Sequence, residues 1–314
     1  MTGGCGFVGS HLVDALLTRG VQVRVVDDLS SGRLENVKRW EGNAGFEFVR
    51  GDLKDLRVAL ESVDGVDSVF HLAANPDVRL GSFEPRVHFD ENLVVTFNVL
   101  EAMRKNPDAK RVVFASTSTV YGEACVFPTP ESYGPLLPIS VYGGAKLGCE
   151  ALIASYCHTF GLEAALLRFA NIVGPRAGHG VVVDFVRKLK KNSGELVVLG
   201  DGKQSKSYLH VSDLVGAFFV VMNSFGKSGR VEAYNVGTPD KVDVVRIAEV
   251  VCEEMGLALP RLRFDASVEG GRGWKGDVKT MLLSVDKLVG LGWKPRLSSE
   301  QAVRQTCREL LKSG

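Results

Sequence analysis

An α/β fold with a doubly wound parallel sheet and a smaller mixed α/β region is what this sequence of 314 residues predicts. Three observations lead there. Gly3, Gly6 and Gly9 recur at three-residue intervals and run directly into an amphipathic segment that ends at Arg19-Gly20. Apolar runs short enough for strands then alternate with helical segments as far as residue 170, the pattern of a sheet covered on both faces. Past residue 170 the rhythm becomes irregular, with Gly174-Pro175-Arg176, Gly200-Asp201-Gly202 and Gly270-Gly271-Arg272-Gly273 as breaks. The division expected is therefore 1–170 and 171–314.

Composition narrows the partners. With 38 basic and 37 acidic residues the formal net charge is +1, which gives no electrostatic footprint for nucleic acid. The cluster Arg187-Lys188-Leu189-Lys190-Lys191 reads as a solvated helix face. No apolar run approaches the length of a membrane span, and Ala217-Phe218-Phe219-Val220-Val221-Met222 reads as a buried helix or strand. No signal peptide precedes the first glycines. The six cysteines form no Cys-x-x-Cys pair and none stands at zinc-ligand spacing from a histidine, so no metal is expected. They read as small buried hydrophobes in a reducing cytoplasm.

In chain order, the glycines come first. They let the backbone turn tightly and approach a pyrophosphate, whose charge is met by the N–H groups and positive dipole of the following helix. Residues 21–27 form a strand ending in Asp27, 18 residues after Gly9, where a carboxylate accepts hydrogen bonds from ribose hydroxyls. The same carboxylate repels a 2′-phosphate, which favours NAD over NADP, although Ser30-Ser31-Gly32-Arg33 leaves a basic residue nearby. A strand is expected before the glycines, yet only Met1 and Thr2 stand there. Either that strand is cut short or the true start lies upstream, and a shortened central strand lowers stability.

Phe46–Arg50, residues 68–74 and residues 111–116 are the next strands, with a long helix over residues 84–105 between the last two. Ligands collect at the carboxyl ends of such strands. Asp52-Leu53 is thereby placed beside the adenine and Leu72-Ala73-Ala74 under the pyrophosphate, with Asn92 bracing the region. His71, inside an apolar run, reads as a packed core residue rather than a catalyst. The strand ending at Ser116 runs into Thr117-Ser118-Thr119-Val120-Tyr121-Gly122, which sets hydroxyls at the sheet's carboxyl edge. Tyr142 and Lys146 follow, four residues apart on a helix and so about 5–6 Å apart at Cβ. A neighbouring ammonium favours the phenolate and makes tyrosine a proton acceptor nearer neutrality.

These motifs, together with Arg168-Phe169-Ala170-Asn171, occur in one order over nearly the whole chain. They resemble the extended short-chain dehydrogenase/reductase superfamily, most closely its UDP-glucose (UDP-galactose) 4-epimerase branch. The resemblance implies a Rossmann-type NAD domain, to which segments near 207–240 return, and a substrate domain that takes a UDP-sugar. It implies catalytic roles for Thr117, Tyr142 and Lys146. It adds Phe7, Val8, Asp28, Ser31, Ser116, Phe169, Tyr142 and Lys146 to the cofactor contacts Gly3, Gly6, Asp27, Asp52, Leu53, Leu72, Ala73, Ala74 and Asn92. On the substrate side it implies Asn171, Lys206, Arg272 and Asp277, with Val183 on a uracil-binding helix over residues 181–192, beside Thr117 and Tyr142. Lys206 stands where most relatives carry arginine, and five positions separate Arg272 from Asp277 where many have three. A homodimer is implied through the helices at 84–105 and 142–160.

Two classes of function stay open at this point, an enzyme that oxidises sugar carbon 4 transiently and a binding protein that keeps the dinucleotide fold without turnover. Thr117, Tyr142 and Lys146 favour the enzyme, since a binding protein has no need of an activated phenol. A 4,6-dehydratase needs an acid and a base, carried in that family as Asp-Glu just after the hydroxyl position, where this chain has Ser118-Thr119. Epimerases or decarboxylases of UDP-glucuronate and epimerases of N-acetylhexosamines remain as alternatives.

Overall fold

The computed structural model describes residues 1–226 and 229–312. They fall into two compact units. The first comprises Met1–Thr117, Val141–Arg168 and Phe218–Tyr234, the second Ser118–Ser140, Phe169–Ala217 and Asn235–Gly314. Against a division at residue 170, Ser118–Ser140 stands with the second unit, and of the 207–240 segment expected to return to the first unit only Phe218–Tyr234 does so. Asn235 explains the first difference: its Nδ2 donates to Thr129 O and Ser284 O, and its Oδ1 accepts from the Tyr121 hydroxyl at 2.7 Å.

In the first unit, helix α1 (Phe7–Thr18) buries Leu12, Val13, Leu16 and Leu17 along one face. Strand β1 (Val23–Asp27) pairs in parallel with β2 (Phe46–Arg50), Val25 opposite Phe48. Asp55 caps α2 (Leu56–Val63) by accepting from Arg57 N. Strand β3 (Ser68–His71) pairs in parallel with β4 (Arg111–Thr117). Between them lie α3 (Arg86–His88), a π-helical turn over Phe89–Val94 and α4 (Val95–Lys105). The uninterrupted helix expected over 84–105 is therefore corrected to one widened at its middle. Besides the Val95 N–H, the Asn92 carbonyl in this turn accepts from two side chains, Thr96 Oγ1 at 2.7 Å and Cys149 Sγ at 3.4 Å. Helix α5 (Val141–Phe160) and strand β5 (Glu163–Phe169) complete this part.

The strand expected before the glycines is reduced to Thr2, which makes single parallel bridges to Val26 and to His71. Thr2 N donates to Phe70 O, Gly3 N donates to Val26 O, and Leu72 N donates to Thr2 O. Met1 O accepts from Val26 N, so Met1 and Gly3 bond to β1 while Thr2 bonds to β3, and the three residues together join the two strands. Valines 26, 69, 99 and 112 with Leu100, Met103, Phe114 and Ile153 make the core between sheet and helices.

The rest of the chain runs in shorter pieces, most of them in the second unit, although residues 218–234 return to the first. They are β6 (Asn171–Val173), α6 (Val181–Lys191), β7 (Glu195–Leu199), β8 (Ser205–Lys206), β9 (Tyr208–His210) and α7 (Val211–Met222). After them come β10 (Val231–Val236), β11 (Val242–Asp243), α8 (Val244–Met255), β12 (Arg261–Asp265), β13 (Thr280–Met281), α9 (Asp286–Gly290) and α10 (Ser299–Lys312). The apolar run 217–222, open between helix and strand, is the end of α7, and Phe218 meets Phe70 at 5.9 Å within the first unit. The larger sheet has the order β10-β5-β4-β3, while β6 pairs with β9, β7 with β12, and β8 lies between β11 and β13. Phe185, Val186 and Leu189 of α6 pack with Ile247 and Val251 of α8 and Val303 of α10.

Five cysteines are buried as expected of small hydrophobes, but Cys125 is exposed. Among the described residues, no helix is long and apolar enough to cross a membrane and no cluster of ligating side chains could hold a metal.

Candidate active site

The glycine turn sits where β1, Thr2 and β3 meet the start of α1. Gly3 has φ +66°, and a Cβ there would lie 2.8 Å from Ala73 N, so only glycine lets the turn close on Leu72-Ala73. Helix α1 opens at Gly6 with no side-chain cap and no acid in its first turn. The first N–H groups of a helix have no intrahelical partner, so Phe7 and Val8 present donors and the positive dipole end. This is a cradle for an anion.

Asp27, at the end of β1, is buried and accepts from Cys5 N and Leu29 N, both at 2.9 Å. Burial pushes its carboxyl above the ordinary range, opposed by those two N–H donors. A Cβ on Gly32 would lie 2.8 Å from Asp27 Oδ1, so glycine keeps that carboxylate approachable. Leu29 takes φ +64°, unusual for a bulky residue, and its N–H closes the turn onto Asp27. Asp28 accepts from Ser30 N and Oγ, and Ser31 is exposed. A carboxylate beside an uncapped helix start and a glycine turn fits an adenosine ribose and pyrophosphate, so the residues present suit a dinucleotide.

Around the cradle, Leu53 is buried and its carbonyl accepts from Asn98 Nδ2, while Asp52 is exposed and accepts from Lys54 N. Asn92, from the π turn, accepts from Asn75 N at 2.9 Å and so braces the loop beyond Leu72-Ala73-Ala74. His71 is held on both ring nitrogens, by Thr2 Oγ1 at 2.7 Å and Thr96 Oγ1 at 2.9 Å. Burial lowers it to about 3, so it is a neutral core residue at pH 7. Thr2 Oγ1 already accepts from Leu72 N and Ala73 N, so its proton goes to His71 Nδ1 and the imidazole carries hydrogen on Nε2.

Thr117, Tyr142 and Lys146 come together where β4 ends beside the first turns of α5. The Tyr142 phenol is hydrogen-bonded to the Thr117 side chain, and the Tyr142 ring meets the His88 ring edge-on at 5.5 Å. Lys146 Nζ donates to Ala115 O at 2.8 Å and lies 4.6 Å from the centroid of the Phe114 ring. One expectation is overturned. Burial pushes the phenol up to about 12, opposed by the Thr117 hydrogen bond, rather than down towards neutrality. The ammonium is turned to the Ala115 carbonyl, and burial lowers it to about 8. Four-residue spacing brings the two side chains near one another at Cβ but does not fix where a long side chain ends.

Two residues in this cluster were given no role by the sequence, Glu150 altogether and Arg168 beyond its place in the Arg168-Phe169-Ala170-Asn171 motif. Glu150 and Arg168 form a buried ion pair at 2.7 Å, and Glu150 Oε1 also accepts from the Ser116 hydroxyl. The available signal was Glu150 itself, an acid one turn beyond Lys146 on a mainly apolar helix. Ser116, expected at the cofactor, has its hydroxyl committed to this pair, and Phe169 is the last residue of β5.

The second unit gathers the other expected residues. Lys206 Nζ lies 2.6 Å from Asp277 Oδ1 and 5.3 Å from the centroid of the Trp274 ring. Arg272 donates to Asp277 O and meets Glu123 Oε1, both at 2.6 Å, while Asp277 Oδ2 accepts from Gly273 N. Asn171 opens β6 with its Nδ2 donating to Ser207 O, and Val183 is buried on α6. Lys206, Arg272 and Asp277 thus form one cluster, while Asn171 and Val183 stand on β6 and α6.

A cradle of this kind beside a tyrosine, lysine and threonine defines a dinucleotide-dependent enzyme of the short-chain dehydrogenase type. Residues 1–237 match the NAD dependent epimerase/dehydratase family, and the chain belongs to it. NAD is the cofactor of that family. A solved UDP-galactose 4-epimerase is 47% identical, with 99% of this chain and 98% of that one covered and a TM-score of 0.86. The UDP-glucose 4-epimerase of Thermus thermophilus, solved in complex with NAD, is 31% identical, with 100% and 98% covered and a TM-score of 0.86. The UDP-glucuronic acid decarboxylase 1 of Xenopus tropicalis is 32% identical over 98% of this chain and 70% of its own.

Proposed function

We propose that the chain interconverts UDP-glucose and UDP-galactose by inverting sugar carbon 4. The observation that carries the reading is a half-buried tyrosine whose phenol is hydrogen-bonded to a threonine hydroxyl in the same unit as a dinucleotide cradle. NAD, when bound, supplies a hydride acceptor that is also a positive charge. Gly3, Gly6, Phe7 and Val8 hold its pyrophosphate and Asp27 its adenosine ribose. Thr117 orders the oxygen on carbon 4, and Tyr142, as phenolate, takes that oxygen's proton and later returns it. Lys146 keeps a positive charge near the phenolate. The second-unit cluster of Lys206 and Arg272 binds the diphosphate, with Asn171, Val183 and Asp277 ordering the rest of the nucleotide sugar.

The test uses UDP-glucose deuterated at carbon 4. UDP-galactose that retains the label in ordinary water supports the reading, since the hydrogen leaves and returns within one enclosed site. Loss of label to solvent, or a stoichiometric requirement for NADH, overturns it in favour of a dehydrogenase or reductase. A second reading, chemistry on UDP-glucuronate, draws on the decarboxylase relative. A panel of UDP-sugars read by NMR separates the two by which sugar is turned over, with loss of carbon dioxide from UDP-glucuronate marking decarboxylation.

Assembly and location complete the proposal. Phe97, Tyr156 and Phe160 form an aromatic row on α4 and α5, and Phe89, Phe97 and Phe160 are exposed. A homodimer joined through these helices covers that row, and a monomeric mass by light scattering at micromolar concentration counts against it. Six free cysteines fit a cytoplasmic protein, which fractionation of the source cells tests.

A further inference from the structure

Behind the candidate catalytic residues one carboxylate draws three elements together. Glu150 belongs to α5, one turn beyond Lys146 and two turns beyond Tyr142. Its Oε1 accepts from Ser116 Oγ on β4, the residue immediately before Thr117. Arg168, on β5, donates from Nε to Oε1 at 3.1 Å and from Nη2 to Oε2 at 2.7 Å, a fork on a fork. Glu150 and Arg168 are only 4% and 6% exposed. Burying such a pair rarely stabilises a fold compared with apolar side chains of the same size, so stability alone gives little reason for it.

Position gives a better one. The ionisable groups facing Lys146 are Tyr142, Cys149 and Glu150 on α5, His71 on β3 and His88 on α3. Burial raises the Tyr142 phenol and the Cys149 thiol and lowers both imidazoles, so these four are neutral at pH 7. Glu150 is the anion of the set. The groups facing Glu150 in turn are Arg168 on β5, Ser116 on β4 and Lys146 on its own helix.

We propose that Glu150 is a positioning residue that fixes Thr117 against Tyr142 through Ser116 and supplies the counter-charge that keeps Lys146 an ammonium. Arg168 is its anchor, holding the carboxylate so that both contacts are made at once. This rests on the epimerase reading for the catalytic roles of Thr117, Tyr142 and Lys146, but the clamp can be read without turnover.

The test compares the full-length wild type, Ser116→Ala and the double substitution Glu150→Gln/Arg168→Met. The double substitution removes the anion and the cation of the pair together, so neither is left buried without the other. Lysine labelled with carbon-13 at Cε is titrated by NMR, the Lys146 signal being assigned by its loss in Lys146→Met. In the double variant the proton affinity of Lys146 should fall about threefold, the loss of Glu150 from its own helix outweighing the simultaneous loss of the Arg168 cation, while in Ser116→Ala it stays at the wild-type value. With UDP-glucose, kcat should fall about 10–100-fold in the double variant and about 3–10-fold in Ser116→Ala, with KM nearly unchanged in both. A merely structural pair would lower thermal stability and leave the Lys146 titration where it was, which overturns the proposal. A shifted titration with unchanged kcat also overturns it. Were the wild type to turn over no UDP-glucose, the epimerase reading would fail and the titration alone would decide.

Discussion

In the first unit the cation of the candidate site, Lys146, is 2% exposed and rests on a carbonyl and an aromatic face, whereas in the second unit Lys206 and Arg272 lie 2.6 Å from carboxylates of their own unit. Burial lowers Lys146 to about 8. A buried ammonium costs folding free energy, and such groups cluster where chemistry requires a shifted proton affinity. Cations already paired with carboxylates cost less and are ready-made for exchange, since an incoming phosphate can share or replace the anion they hold. The contrast assigns proton chemistry to the first unit and charge recognition to the second.

The sharpest way to break that assignment is to remove the phenol hydroxyl. Tyr142→Phe should lower kcat by roughly 10²–10⁴-fold while UDP-sugar affinity, measured by calorimetry, stays close to wild type. An equal loss of affinity would make Tyr142 a binding residue and erase the distinction between the units. Because burial raises the phenol to about 12, titration without cofactor should show Tyr142 protonated throughout the neutral and mildly alkaline range. The absorbance difference between wild type and Tyr142→Phe reads this directly.

Next in size is the folding cost of Lys146. Its proton affinity in the folded state lies below the ordinary 10.5, so between pH 8 and 10.5 the unfolded chain binds more protons than the folded one. Wild-type stability should therefore rise with pH through that window relative to Lys146→Met, by roughly 3 kcal/mol as an order of magnitude. Below pH 8 both states are protonated and the difference is flat. Urea unfolding of the two proteins across the window checks it, and parallel curves would mean that Lys146 is not the desolvated cation of the comparison.

What was legible in the sequence was local. Gly3, Gly6 and Gly9 announce a turn because their spacing is short and their physical requirement narrow, and Asp27 is reached by counting along a single strand. Tyr142 and Lys146 share a helix face for the same reason. Proximity was legible but direction was not: the expected lowering of the phenol reversed because burial outweighs the neighbouring charge once Nζ turns to Ala115. Glu150, Ser116 and Arg168 meet from three elements, and no periodicity relates them. The π turn over Phe89–Val94 was hidden because its residues still read as helical, although it is what brings Asn92 to Asn75. Ser118–Ser140 joined the second unit through Asn235, a residue without a motif.

The smallest expected effect probes the second unit. Lys206 is paired with the deeply buried Asp277, whose other oxygen accepts from Gly273 N, and it sits near the Trp274 ring. If its ammonium meets a diphosphate, Lys206→Ala should weaken UDP binding about tenfold, since a hydrogen bond to a charged group contributes roughly 1.5–3 kcal/mol and Arg272 remains to carry part of the load. Lys206→Arg should keep wild-type affinity or improve it, because a guanidinium can hold Asp277 and a phosphate oxygen together in a planar fork. Lys206→Ala also leaves Asp277 without its cation, so loss of binding through local unfolding must be separated from loss of a contact. Lys206→Ala combined with Asp277→Asn does this by removing both charges. Tenfold weaker binding in the double variant, with the thermal midpoint restored, keeps Lys206 as a ligand of the diphosphate. Wild-type affinity in the double variant would make the Lys206–Asp277 pair purely structural, and charge recognition would then rest on Arg272.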